Sequence, residues 1–172
     1  MNTLFFLNGA CGTGKTTVAK ALAKLDVPNL NIHHFDSIGV PKEKEILEKY
    51  GNGENWQRLK TAEWVKKVQP ELLEHNVILD IQTRPLFIEE ACHNLNIKSY
   101  EIILFHCTKG TRKNRLETRQ QPDLANEKME DWSQYLKKEH ESRRCIIIDN
   151  SYLSVDETTS ILREIIINER KK

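Results

Sequence analysis

The sequence lacks most features that would place it in a specialised class. Its four cysteines (Cys11, Cys92, Cys107 and Cys145) are scattered, with no C-x-x-C pair and no metal-ligand spacing. They fit neither a disulfide framework nor a zinc site, and read as free thiols in a reducing compartment. No apolar run approaches the roughly 18 residues of a membrane span, and the start has no basic n-region of a signal peptide. A cytoplasmic location with no membrane partner is expected. Neither charge sign dominates, with 26 Lys and Arg against 25 Asp and Glu. That balance lacks the basic footprint of a nucleic-acid binder, so no nucleic-acid partner is expected. There is no internal repeat, low-complexity tract or linker. The 172 residues therefore suggest a single domain over 1–172, able to bury a core without staples, as a monomer or homodimer.

What is present is concentrated near the start. Leu4 to Leu7 is a continuous apolar run, as in a buried parallel strand. It is followed by Gly9-Ala10-Cys11-Gly12-Thr13-Gly14-Lys15-Thr16-Thr17, which matches Gly-x-x-x-x-Gly-Lys-Thr. Val18, Leu22 and Leu25 then recur at helical spacing, predicting a helix over Thr16 to Leu25. Strand, glycine-rich turn and helix in that order are the P-loop, which cradles nucleotide phosphates. Its backbone N–H groups curl around the phosphates at a helix N-terminus, whose dipole favours negative charge. Lys15 is expected to reach the β- and γ-phosphates, and the Thr16 hydroxyl to ligate Mg²⁺.

Further strands are predicted at Asn31 to Phe35, Val77 to Ile81, Tyr100 to Cys107 and Cys145 to Asp149, with helices between them. Asp36 to Pro41 reads as a loop. Asn55 is expected to cap a helix with the stripe Leu59, Ala62, Val65 (or Trp64), Val68 and Leu72. Trp56 and Trp64 on this helix read as core packing. One of His33 and His34 should face inward as a packed strand histidine. A helix over Glu127 to Glu141 has the apolar face Met129, Trp132, Tyr135 and Leu136. A capping box at Ser154 to Glu157 opens a last helix, and Glu169 to Lys172 reads as a frayed tail. Alternating strands and helices imply an α/β fold with a parallel sheet.

The P-loop alone leaves the reaction open. Asp80 at the end of the third strand is placed like a Walker B acid, in the second shell of Mg²⁺ or against substrate. Ile81 stands where a motor ATPase commonly carries a water-activating Glu, which argues against dedicated hydrolysis. No Asn-Lys-x-Asp occurs, which argues against guanine reading. Arg112, Arg115 and Arg119 recur at spacings that share one helix face. They are either closing arginines that stabilise a phosphoryl group in transfer or a solvated cationic face shared with Lys109 and Lys113.

On these residues the chain resembles the P-loop kinases of the nucleoside-monophosphate-kinase-like fold, which include shikimate kinase, gluconate kinase, chloramphenicol phosphotransferase and adenylate kinase. The resemblance implies a three-layer fold, a five-stranded sheet of order 2-3-1-4-5 and a short lid. The family's Asp-Gly-Phe-Pro-Arg motif is echoed as Asp80-Ile81-Gln82-Thr83-Arg84, with a different middle; Asp80 and Arg84 are implied substrate contacts. The loop after the last strand borders adenine in this fold, implying Asn150 and Ser151, mainly through backbone. Asp36 follows the second strand, where several of these kinases place an acid that orients or deprotonates the acceptor hydroxyl. The bland alternative for Asp36 is Asx-turn chemistry before Ser37.

The expected activity is ATP- and Mg²⁺-dependent phosphorylation of a small hydroxyl-bearing metabolite, nucleoside or antibiotic. Lys15 and Arg112, Arg115 and Arg119 would stabilise charge, and Asp36 would handle the hydroxyl. One rival is a nucleoside-monophosphate kinase, with Arg84 on the acceptor's phosphate. The other is an ATP-binding regulatory protein with little catalysis.

Overall fold

The computed structural model describes residues 2–39 and 41–169. Five parallel strands, β1 (Leu4–Asn8), β2 (Leu30–His34), β3 (Asn76–Asp80), β4 (Tyr100–His106) and β5 (Ile146–Asp149), form one sheet in the order β2-β3-β1-β4-β5. β1 is central, with Phe5 opposite Ile78 on one side and Glu101 on the other. All five residues of β1 are buried, which explains its unbroken apolar run up to Asn8.

The two-residue period of the strands sorts the core into two halves. Leu4, Phe6, Val77 and Leu79 pack on one face of the sheet against Trp64, Val65, Val68 and Ile88. These come from α3 (Gly53–Val68) and α4 (Pro85–Asn94). Phe5, Leu7, Ile78 and Phe105 pack on the other face against Val18, Leu22, Leu162 and Ile166, from α1 (Lys15–Ala23) and α7 (Val155–Glu169). The structure is thus three layers, helix–sheet–helix. The short α2 (Glu43–Tyr50) precedes α3, while α5 (Lys109–Thr118) and α6 (Glu127–Ser142) lie between β4 and β5 in the chain. Residues 119–126 join α5 to α6 with one 3₁₀ turn at Pro122–Leu124, a short lid as expected.

Most boundaries fall within two residues of expectation, but several details differ. The segment after β2 is a 3₁₀ turn over Phe35–Ile38 rather than an irregular loop; Val40 of that stretch lies outside the described residues. Asn52 is the cap of α3, accepting a hydrogen bond from the Asn55 backbone N–H, so the helix starts earlier than Asn55. Its buried face is Trp56, Thr61, Trp64, Val65 and Val68. Leu59 is 51% exposed and Ala62 is exposed, because two bulky indoles gain more from burial than Leu59 does and rotate the helix toward themselves. Both tryptophans pack in the core as expected. The capping box of α7 forms, with Ser154 Oγ and Glu157 each serving the other's backbone N–H. Of the expected tail only Glu169, the last residue of α7, is within the described residues.

Candidate functional site

The P-loop leaves β1 through Asn8, whose side chain was not singled out by sequence. Asn8 is fully buried. Its Oδ1 accepts from the backbone N–H of Gly9 at 2.9 Å and of Thr83 at 3.2 Å. Its Nδ2 donates to Thr83 O at 2.8 Å, and it lies 3.4 Å from the ring of buried His140. One side chain thus fixes the start of the loop to the segment after β3.

Two glycines of the loop are sterically required. At Gly9, φ is +148° and a Cβ would lie 2.5 Å from the Phe105 carbonyl oxygen. At Gly12, φ is +82° and a Cβ would meet Arg112 Cγ at 2.8 Å. Ala10 and Thr13 are buried, and Thr13 Oγ1 donates to Ala10 O at 2.9 Å. α1 then begins at Lys15 with no side-chain cap and no acidic residue in its first turn. The starts of α3, α5, α6 and α7 are capped by Asn52, Thr108, Asn126 and Ser154. α2 and α4 also start without a side-chain cap, but only at α1 does the uncapped start follow a glycine-rich loop, which leaves its first N–H groups open to an anion.

Lys15 Nζ donates to Gly9 O at 2.8 Å, folded back over its own loop. Thr16 Oγ1 donates to Asp80 Oδ2 at 2.6 Å. His34 Nδ1 lies 3.0 Å from the same oxygen, since His34 stands opposite Asp80 in the parallel register of β2 and β3. Burial pushes the Asp80 carboxyl up, but the His34 hydrogen bond, the Lys15 charge and the Thr16 hydroxyl outweigh it and hold the group below the usual carboxylate range. Asp80 is therefore an anion at neutral pH. Neither histidine is fully inward: both are half-buried, and His33 pairs with Glu71 at 2.9 Å. The register could have exposed His34, because strand order brings it beside Asp80.

Three cavities beside this core bear on the site, and a further open one of about 660 Å³ runs along the outer side of α1 past Thr17, Lys20 and Lys24. The first, about 340 Å³, lies between Gly14, Val18, Arg115, Thr118, Leu153 and Val155. It extends from the P-loop toward the start of α7. Asn150 lines it, and its side chain is spent within the protein. Its Nδ2 donates to Thr13 O at 2.9 Å and its Oδ1 accepts from Arg115 Nη1 at 3.0 Å. Ser151 is turned away, bonded to Asp149 Oδ1 and Thr108 N.

The second cavity, about 210 Å³, brings Lys15, Thr16, Asp36, Asp80, Gln82 and Arg119 around one space. Cys11 and Thr17 also line it. The Asp36 carboxylate is exposed and makes no Asx-type bond among the described residues, so turn chemistry does not account for it. Arg119 sits past the end of α5, exposed, and borders the first two cavities.

The three arginines do not act from one face. Arg115 is tied by Nη2 to Asn150 O at 2.9 Å and braces the P-loop. Arg112 is 3% exposed, and its guanidinium bonds Met129 O and pairs with Glu130 of α6. The structure therefore does not bring Arg112 to the cavity: it fastens α5 to α6, because Glu130, eighteen positions on, supplies a half-buried partner that helix spacing cannot reveal. Glu130 is held below the usual carboxylate range, with burial opposed by Gln134 and the Arg112 charge.

The third cavity, about 460 Å³, opens beside Gln82 and is lined by Glu54, Gln57, Arg84, Trp132 and Tyr135. Met129, Trp132 and Tyr135, expected as a core-facing stripe, belong to neither core cluster. Leu136 alone of that stripe is fully buried; the two rings stack at 5.3 Å and wall this cavity instead. Arg84 is placed here, with Nη2 at 3.1 Å from Glu54.

No described cluster of three or more His, Cys, Asp and Glu side chains could hold a metal ion. The Thr16 hydroxyl and Asp80 carboxylate nevertheless fit Mg²⁺, which takes one or two protein oxygens and completes its shell with water and phosphate. No described helix is long and apolar enough to cross a membrane.

Fold and site together define a P-loop domain of the small-molecule kinase fold. The family model described as "AAA domain" matches residues 6–133, and the chain belongs to that family. Among solved structures it is similar to a shikimate kinase from Acinetobacter baumannii in complex with shikimate, at 18% identity and TM-score 0.63, covering 98% of this chain and 95% of that one. A gluconokinase from Sinorhizobium meliloti 1021 matches at 12% identity and TM-score 0.61, covering 99% and 92%. A sugar kinase from Janibacter sp. HTCC2649 matches at 15% identity and TM-score 0.66, covering 94% and 92%. No curated protein matches the chain.

Proposed function

We propose that this chain is an ATP- and Mg²⁺-dependent phosphotransferase acting on a hydroxyl group of a small molecule. The reading is carried by the 210 Å³ cavity, which the P-loop residues Lys15 and Thr16 share with the free carboxylate of Asp36 and with Asp80 and Gln82. The purine would lie in the 340 Å³ cavity beside Asn150, and the acceptor in the 460 Å³ chamber that shares Gln82.

Thr16, with Asp80 in the second shell, would hold Mg²⁺, which would offset the charge of the phosphates. The loop N–H groups and Lys15 orient the donor. Asp36 accepts the proton of the acceptor hydroxyl as its oxygen bonds the γ-phosphorus and the bridging β–γ P–O bond breaks, leaving ADP. Arg119, exposed on the short lid segment, balances the charge that develops. Arg115 acts as a positioning residue through Asn150 and the P-loop. The aligned structures named as kinases support this reading at the level of fold.

A coupled ADP-release assay against a panel of hydroxyl-bearing metabolites tests it. The expected result is acceptor-dependent ADP formation that falls about 10²-fold in Asp36→Asn. Tight ATP binding with no acceptor-dependent turnover across the panel would favour a regulatory binder and sink the proposal.

A further inference from the structure

Arg84 is the one cation of the DxxxR echo, and its surroundings restrict what the 460 Å³ chamber can accept. Both terminal nitrogens of its guanidinium already have a partner within this chain. Nη2 meets Glu54 at 3.1 Å and Nη1 donates to Gln57 Oε1 at 3.2 Å. The rings of Trp132, Tyr135 and Phe87 lie 5.2, 5.4 and 5.8 Å from its central carbon, a cation held against aromatic faces. An anion approaching Arg84 therefore meets a guanidinium whose charge is already paired with Glu54.

The charge of the chamber also cancels. Glu54 and Asp131 oppose Arg84 and Lys128 around the same cavity, so no positive field is focused on an entering anion. A phosphate or carboxylate seated on Arg84 would have to displace Glu54 or sit beside it, and in either case meets that carboxylate as a like charge. Specificity is often built from such a repulsive element. The remaining groups suit hydroxyls. Gln57 and Gln82 each spend their carbonyl oxygen internally, on Arg84 and on the Cys11 thiol, which leaves amide N–H donors for an acceptor's oxygens. The stacked indole and phenol offer apolar surface for the C–H face of a ring.

We propose that the chamber selects an uncharged polyhydroxylated ring, a sugar or sugar-bearing molecule, and that Glu54 excludes phosphorylated or carboxylated ones. This rests on the reading of the chamber as the acceptor side of a phosphotransferase. Gln82 lines both cavities, so a ring on the Trp132 side can direct one hydroxyl toward Asp36.

The test has two arms, both with the P-loop filled by a non-hydrolysable ATP analogue and Mg²⁺. The first titrates inorganic phosphate and reads fluorescence, with Trp132→Phe as the control that assigns the signal to Trp132. The wild-type chamber is expected to bind phosphate weakly and Glu54→Gln about tenfold more tightly, the order of effect of one like-charge contact. Equal affinity in the two proteins would overturn the filter. The second arm compares matched pairs, hexoses and pentoses against their phosphate esters and uronic acids, for binding and, with ATP, for ADP release. Preference for the uncharged members supports the proposal; preference for the anionic members, or no binding by any, overturns it. Uncharged rings that bind but are not phosphorylated would leave this inference standing and refute the phosphotransferase reading. Phosphorylation of anionic acceptors would do the reverse.

Discussion

On the phosphotransferase reading proposed above, the donor side and the acceptor side of this molecule are built by different means. The phosphate cradle is one contiguous segment, Gly9 to Thr17, and most of what it offers is backbone: glycines that admit close approach and the uncapped start of α1. The acceptor chamber is assembled from the start of α3, the stretch after β3 and one face of α6, and what it offers is side chains. A backbone site tolerates little change at a few fixed positions. A side-chain site can be re-specified by single substitutions without disturbing the sheet. The contrast teaches that the donor should be generic and the acceptor particular.

The largest expected effect lies on the donor side. Lys15→Ala should lower phosphoryl transfer about 10³-fold, the upper range for removing one preorganised charge partner, with the fold retained by circular dichroism. Undiminished turnover would break the division between halves at its strongest point. Next is Asp36→Asn, where a fall of about 10²-fold in kcat is expected for loss of the base, with ATP-analogue affinity unchanged by calorimetry. A matching loss of nucleotide affinity would move Asp36 to the donor side.

Asn8→Ala couples the halves. It strips buried partners from Gly9 and Thr83 at once, and should cost about 2–3 kcal/mol in chemical denaturation, in the range for orphaned buried polar groups. A change below about 0.5 kcal/mol would show that the two segments are positioned independently.

The smallest effect is a pH dependence. His140 is fully buried, and burial holds its pKa below the ordinary histidine value of 6.5. The unfolded chain therefore binds a proton that the folded one resists, and stability falls as pH drops through about 6.5. The thermal midpoint should decline between pH 7.5 and 5.5, and the slope should flatten in His140→Gln. An unchanged slope would shift the cause to His106, whose pKa burial also lowers.

Much of this was legible in the sequence, and unevenly so. The run Leu4 to Leu7, the loop after it and the α1 pattern all rest on residues adjacent in the chain, so spacing alone predicts them. The same holds for Asp80 at the strand end and for the capping box at Ser154 to Glu157. The arginines illustrate the failure. Spacings of three and four correctly put Arg112 and Arg115 on one helix, but Arg112 turns inward to Glu130 while Arg115 turns to Asn150. Trp132 and Tyr135 likewise follow helical spacing, yet they wall a cavity rather than fill the core. On α3 the spacing named Leu59, and the larger indoles took the buried face.

By itself, then, the sequence determined the central strand, the phosphate loop and the alternation of strands and helices. Each depends on local backbone preference and on the period of apolar residues, which neighbours in the chain settle among themselves. The tertiary structure alone decided that His34 meets Asp80, that Asn8 ties the loop to Thr83, and that Arg84 is neutralised by Glu54. Those contacts join residues from 30 to 75 positions apart. Which of many chemically suitable partners a side chain meets is fixed by strand register and helix packing, and neither is encoded near the residue itself.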